Sequence, residues 1–183
     1  DGANRFNVFS GNVNRPVSDL KLATKVGEFS LEFLRTHTSR SEWAVQTRSD
    51  FIFGRAGNWR HSYQWTVLDD GMTNGCQKLQ VIAPDSRVSY YNKKSSNDLF
   101  MTYLPSTHSR IWPDGSTNYY LYKIDGTKYH ITQSGEATNK TFRMEGFWDA
   151  FSNWYGFAYG EDGLLDRVAG PNTNHFFALE YRG

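Results

Sequence analysis

The segment Arg60-His61-Ser62-Tyr63 holds the residue types that proton-transfer chemistry needs. On a strand, His61 and Tyr63 share one face while Ser62 points the other way, so the adjacent His and Ser form no nucleophile–base pair. His61 and Tyr63 do match the base and acid of a polysaccharide lyase, with Arg60 or Arg55 neutralising a uronate. A structural role competes and is favoured: Trp59, Tyr63 and Trp65 lead a core strand, and His61 hydrogen-bonds at its start. The remaining histidines are His37, His108, His130 and His175, and the closest pair in sequence, His108 and His130, is 22 residues apart. Helical and zinc-finger spacings are absent, so no metal is expected. Glycoside hydrolysis needs two acids flanking a cleft. Glu28 and Glu32 lie on the polar face of one strand, Asp69, Asp70 and Asp162 fall in turns, and Glu136 and Glu145 have no marked context. No Gly-x-Gly-x-x-Gly, phosphate loop or Cys-x-x-Cys occurs, and no cofactor is implied.

Aromatic residues make up 16% of the chain, an excess that offers a different chemistry. Trp112, Trp148 and Trp154, with Tyr119 and Tyr155, flank turns and are candidates for a flat platform that stacks on sugar rings. Against this, wide sheets fill their faces with aromatics because each buries a large area, and most of these rings are expected in the core.

The elements that would position these residues follow a period of two. Phe29, Leu31 and Phe33 alternate with Glu28, Ser30 and Glu32. Tyr63, Trp65 and Val67 alternate with polar residues up to Asp69-Asp70-Gly71. Similar runs contain Leu79 and Val81, Val88 and Tyr90, Tyr120 and Tyr122, Tyr129 and Ile131, Phe142 and Met144, Tyr155 and Phe157, and Phe177 and Leu179. Asp-Gly pairs at 70–71, 114–115, 125–126 and 162–163 punctuate the runs. They supply the positive φ that tight hairpins require. No stretch has convincing helical spacing. The expected fold is all-β with antiparallel hairpin-built sheets, little or no helix, and a single domain over residues 1–183.

Composition excludes several classes. The net charge of +1 gives no electrostatic case for nucleic acid, and no apolar run is long enough to span a bilayer as a helix. The lone Cys76 cannot form an internal disulfide, so the fold must stand on packing, with Cys76 expected as a small buried hydrophobe. The chain starts at Asp1 and shows no signal peptide, and is expected to be a processed product or a piece of a longer chain.

The C-terminal part carries an internal echo. Ser152 to Tyr159 (Ser-Asn-Trp-Tyr-Gly-Phe-Ala-Tyr) is answered by Thr173 to Tyr181 (Thr-Asn-His-Phe-Phe-Ala-Leu-Glu-Tyr). Asn153 and Asn174 are 21 residues apart and Tyr159 and Tyr181 are 22 apart, so one residue is inserted. A period of this size belongs to repeat architectures.

The same residues resemble the bacterial YD-repeat, or rearrangement-hotspot (RHS) repeat. Phe147-Trp148-Asp149-Ala150-Phe151-Ser152-Asn153, Tyr159 and Asp162-Gly163-Leu164-Leu165-Asp166-Arg167-Val168 follow the family's Asp-x-x-Gly-Asn turn, Tyr-ended strand and Asp-Gly-Arg-Leu hairpin. Gly11-Asn12-Val13 with Pro16-Val17-Ser18-Asp19-Leu20 is similar to the segment that leads into such repeats. So are the block Gly54-Arg55-Ala56-Gly57-Asn58-Trp59-Arg60-His61-Ser62-Tyr63 and Ile111-Trp112-Pro113-Asp114-Gly115. Ser152 departs from the family's Gly, Gly160 from its Asp, and Leu165 from its Arg-Leu order. The likeness touches residues 11 to 183 and divides the chain into leading sheets over 1–145 and two repeats over 146–183.

The resemblance implies a non-catalytic structural and assembly module of a large extracellular or envelope-associated bacterial protein, used as a shell or surface fibre. Its expected partners are further copies of itself or the remainder of a longer repeat chain, with no nucleic acid and no membrane span. The last strand, with Phe176, Phe177, Leu179 and Tyr181, is the expected assembly edge, because unpaired strand N–H and C=O groups template another strand. Two alternatives stand beside it: a carbohydrate-binding module using the aromatic platform, and a polysaccharide lyase using His61 and Tyr63.

Overall fold

The computed structural model describes residues 5–7, 12–22, 30–39, 59–73, 76–85, 87–93, 100–102, 109–134, 140–161, 163–172 and 174–180. Over these residues the fold is all-β, every strand pairing is antiparallel, and no helix occurs. No helix of the described residues is long and apolar enough to cross a membrane.

A small sheet contains β1 (Arg5–Asn7), β2 (Asn12–Leu22), β3 (Leu31–Thr38) and β4 (Trp59–His61) in that order. A large sheet continues in sequence order from β5 (Thr66–Thr73) through β6 (Cys76–Ile82), β7 (Val88–Lys93), β8 (Phe100–Thr102), β9 (Arg110–Asp114) and β10 (Asn118–Tyr122). It goes on through β11 (Lys128–Ser134), β12 (Thr141–Trp148), β13 (Trp154–Tyr159), β14 (Leu165–Ala169) and β15 (Phe176–Ala178). Each strand neighbours the next, as connections of hairpin length dictate. The 145/146 boundary falls inside β12.

The large sheet curls so that β5 comes to lie alongside β12. The two strand flanks are shared out along β12. Only Gly146, Phe147 and Trp148 pair with β13, and the Tyr159 hydroxyl donates to the Met144 carbonyl at 2.6 Å. The strands from β13 onward therefore leave the curl and run on as an open extension.

One core joins both sheets. Ile111, Leu121 and Ile131 are fully buried on neighbouring strands of the curl, and each contributes about 1.5–3 kcal/mol by its burial. Leu31 and Phe33 of β3 pack into the same cluster as Tyr155, Phe157, Val168 and Phe177. The approach is close at Gly170, where a Cβ would come within 3.3 Å of Leu31 Cδ1.

Two segments differ from the expected strand boundaries, and in β7 and β10 the inward phase is that of Tyr91 and of Tyr119 and Leu121, not of Tyr90 or Tyr120 and Tyr122. The run Tyr63-Trp65-Val67 is not one strand. Gln64 N–H donates to the His61 carbonyl and Trp65 N–H to the Tyr63 carbonyl, forming a tight turn that passes the chain from the small sheet to the large one. Asp69-Asp70-Gly71 does not end a strand either. It is an irregularity inside β5, where the register slips between Asp69 and Met72. Gly71 takes φ 79° there, and its N–H bonds Asp69 Oδ1 at 2.9 Å.

Three of the hairpins, β10–β11, β12–β13 and β13–β14, share one turn. Lys123 N–H donates to the Thr127 carbonyl at 2.9 Å and Gly126 N–H to the Lys123 carbonyl at 3.2 Å. Asp149 and Asn153 with Ser152 repeat this pattern, as do Gly160 and Leu164 with Gly163. The fourth residue is left-handed each time: Gly126 at φ 83°, Ser152 at φ 65° and Gly163 at φ 80°. This is the three-residue hairpin loop that closes on a left-handed bulge residue.

Candidate functional site

β9 to β13 lie side by side, and their register decides which side chains share a face. Trp112 is opposite Tyr120, Tyr120 is opposite His130, and His130 is opposite Gly146. Gly146 is in turn opposite Gly156. One step nearer the strand ends, Arg110, Tyr122, Lys128, Trp148 and Trp154 form a second cross-strand row. Both rows lie on the side of the sheet away from Tyr119, Leu121 and Ile131, which face the core. The outcome is an aromatic stripe across five strands.

The rings of the stripe touch one another. Tyr120 and His130 stack with centroids 5.1 Å apart and planes at 20°, and Trp148 meets Trp154 at 4.3 Å and 44°. Lys128 holds its ammonium 4.0 Å from the Tyr120 centroid and 4.7 Å from that of Trp148. Arg110 lies over Tyr122 at 5.9 Å. His130 Nε2 is 3.0 Å from Asn118 Oδ1, and burial moves its pKa downward. Trp112 stands at one end, 48% exposed.

Glycine makes the other end possible. A Cβ on Gly146 would meet Trp154 Cη2 at 2.5 Å, and one on Gly156 would meet Trp154 Nε1 at 2.9 Å. With no side chains there, the indole lies down on the backbone of both strands.

Of the five platform candidates, Trp112, Trp148 and Trp154 are on this stripe. Tyr119 and Tyr155 are not: they are 7% and 1% exposed in the core. In Asn118-Tyr119-Tyr120-Leu121-Tyr122 the lone aliphatic Leu121 selects the inner face, and Tyr119 two positions away follows it. Tyr155 is inward because its neighbours Trp154 and Gly156 form the outer surface. Arg110, Tyr120, Tyr122, Lys128 and His130 complete the stripe, and spacing along the chain does not single them out. Alternation gives the faces of a strand, but only the cross-strand register assembles them into a row.

The proton-transfer candidates are buried. His61 is 6% exposed, its ring stacks on Phe33 at 5.2 Å, and Nδ1 accepts the Tyr63 N–H at 3.3 Å. Burial, with the Arg60 charge beside it, lowers the His61 pKa to about 4. Tyr63 is 8% exposed, its hydroxyl accepts the Glu32 N–H at 3.1 Å, and burial raises its pKa to about 12. Arg60 donates to the Gln64 carbonyl at 2.7 Å and to Thr66 Oγ1 at 3.2 Å. These contacts tie the crossover between the sheets together, and among the described residues His61, Tyr63 and Arg60 are all buried. Arg55 lies outside the described residues. Among the described residues no group of three or more His, Cys, Asp or Glu is placed to hold a metal.

The assembly candidates divide. Leu179 N–H donates to the Asp166 carbonyl and Gly170 N–H to the His175 carbonyl, at 2.8 and 3.0 Å. The intervening residue on that side is Phe177. By alternation, the N–H and C=O of Phe176 and Ala178 point away from β14. β15 is the last strand of the sheet, so this side is an open edge among the described residues. Phe176 is 43% exposed beneath Arg167, whose guanidinium is 3.9 Å from the ring centroid. Phe177 is 6% exposed and Leu179 packs against the same core, so neither side chain is offered to a partner. Tyr181 lies outside the described residues.

Comparison with models of protein families and with curated proteins finds no match to this chain.

Proposed function

We propose that the chain is a non-catalytic structural and assembly module of an extracellular or envelope-associated bacterial protein of the YD-repeat kind. The observation that carries this reading is the open edge of β15 at the end of a series of like hairpins. Each added hairpin lays two strands beside the last, and β15 is laid beside β14 as the first strand of the next such unit. The inserted residue of the sequence echo fits this geometry. The Asp149 turn closes on Asn153, whereas the Gly170 turn closes on His175 and is one residue longer. From there the copies run in phase, with buried Tyr155 answering to buried Phe177. Strand edges of this kind accept further strands from the same chain or from another copy. Removal of residues 171–183 tests the reading: light scattering is expected to show a changed assembly state, and an unchanged one with unchanged solubility counts against it.

A second reading rests on a separate observation, the aromatic stripe of β9 to β13. Rings that lie on a sheet surface at strand spacing suit the apolar faces of successive sugar units, and the interleaved Arg110 and Lys128 suit acidic ones. On this reading the module holds polysaccharide along its outer face. A glycan array without hits removes it.

A further inference from the structure

At the end of the curl where β6, β7 and the β10–β11 turn meet, a cavity of about 330 Å³ opens beside Lys123. Its floor is apolar, formed by Val81 and Leu121 with the ring of Trp65, and Ile124 stands at its rim, 78% exposed. An aliphatic side chain so exposed at a hairpin tip gains nothing from the fold itself. Ser89, Ser109 and Tyr91 line the wall, with the Tyr91 and Ser109 hydroxyl oxygens 3.2 Å apart.

The charges around the cavity are unequal in their partners. Arg87 is paired with Asp85 at 3.0 Å. Asp125 accepts the Thr127 N–H at 2.9 Å. Lys123 is set between two rings, its ammonium 4.9 Å from the Trp65 centroid and 5.1 Å from that of Tyr129. No carboxylate of a described residue comes within 4.0 Å of it. The ammonium is half-desolvated, and burial lowers its pKa. Asp125 and Asp85 act on this ammonium only from beyond ion-pair distance. A partly buried cation held by ring faces, above an apolar floor and beside hydroxyl groups, is the complement of a small amphipathic anion.

We infer that this cavity is a binding site for a small organic carboxylate with an apolar ring or branched chain. The carboxylate pairs with Lys123, its second oxygen reaches the Tyr91–Ser109 hydroxyls, and the apolar body covers Leu121, Val81 and Ile124. The site is independent of the β15 edge and of the outer stripe.

The test uses the whole chain, with benzoate and phenylacetate as probes, benzamide as the uncharged isostere, and inorganic phosphate as the bare anion. Amide chemical shifts are followed during titration. Saturable shifts with benzoate or phenylacetate are expected at residues 121–125 and 89–91, with at least tenfold weaker binding of benzamide and phosphate. Lys123→Met is expected to weaken benzoate at least tenfold, and Lys123→Arg to restore most of it. Lys21→Met, on β2 of the small sheet, is expected to leave it unchanged. The inference is overturned if the carboxylates give no saturable shifts, if benzamide or phosphate binds as well as benzoate, or if a folded Lys123→Met chain binds benzoate like the wild type.

Discussion

The indole of Trp154 rests on the α-carbon of Gly146, which adopts φ 147° in the middle of β12. A methyl group there would strike the ring at 2.5 Å and also collide with the Tyr155 carbonyl. Gly146→Ala is therefore expected to destabilise the chain by roughly 2–4 kcal/mol, since the clash involves backbone and the φ is one that L side chains avoid. Urea unfolding measures it. A loss under about 0.5 kcal/mol would mean that the ring does not lie on the glycine.

Ser152 occupies the left-handed bulge position that Gly126 and Gly163 occupy in the sister turns. A non-glycine residue in this conformation costs about 1–2 kcal/mol, and glycine loses part of that advantage through its more flexible unfolded chain. Ser152→Gly is expected to raise the unfolding free energy by about 0.5–1 kcal/mol, seen as a higher urea midpoint at unchanged slope. A lower midpoint would contradict the shared turn.

His61 makes stability depend on pH. Its folded pKa of about 4 is below the ordinary 6.5, so between these values the unfolded chain binds a proton that the folded chain refuses. The stability is whole above pH 6.5 and is lost progressively as pH drops toward 4, the loss reaching roughly 3 kcal/mol at the end of that window. In His61→Asn the amide oxygen can still accept the Tyr63 N–H, and nothing titrates. Unfolding free energies from pH 7 to 4.5 are expected to fall more steeply for the wild type than for His61→Asn. Parallel curves would place the imidazole in solvent.

The outer stripe separates binding from folding. Trp112 is half exposed, so Trp112→Ala is expected to change stability by less than about 0.5 kcal/mol. If the stripe holds polysaccharide, the same change should weaken retention in affinity gels containing an acidic polysaccharide by about fivefold, since ring stacking of this kind is worth on the order of 1 kcal/mol. Equal migration of variant and wild type in a gel that retards the wild type would remove Trp112 from the interaction.

Local pattern made much of this fold readable. Alternation located β3, β12 and β13, and the Asp125-Gly126 and Asp162-Gly163 pairs marked turns because left-handed backbone favours glycine. Asp69-Asp70-Gly71 has the same composition yet forms a bulge, since nearby pairing decides whether a positive φ reverses the chain or only kinks it. Tyr119 and Tyr120 exchange their expected faces, because Asn-Tyr-Tyr-Leu-Tyr alternates acceptably in either phase until Leu121 is given the inside. The stripe depends on register across five strands, and the cavity at Lys123 on how the curl ends. Neither can be read from spacing along the chain.

The central claim is that β15 offers an edge for further strands. The N–H of Ala178 faces away from β14, so proline at that position removes an outward donor without breaking the ladder to Val168. Sedimentation velocity across a concentration series is the most direct measurement, comparing wild type with Ala178→Pro. The account predicts reversible, concentration-dependent association of the wild type and a monomeric Ala178→Pro chain with a similar unfolding midpoint. A wild type that stays monomeric throughout, or a variant that associates equally well, would contradict it.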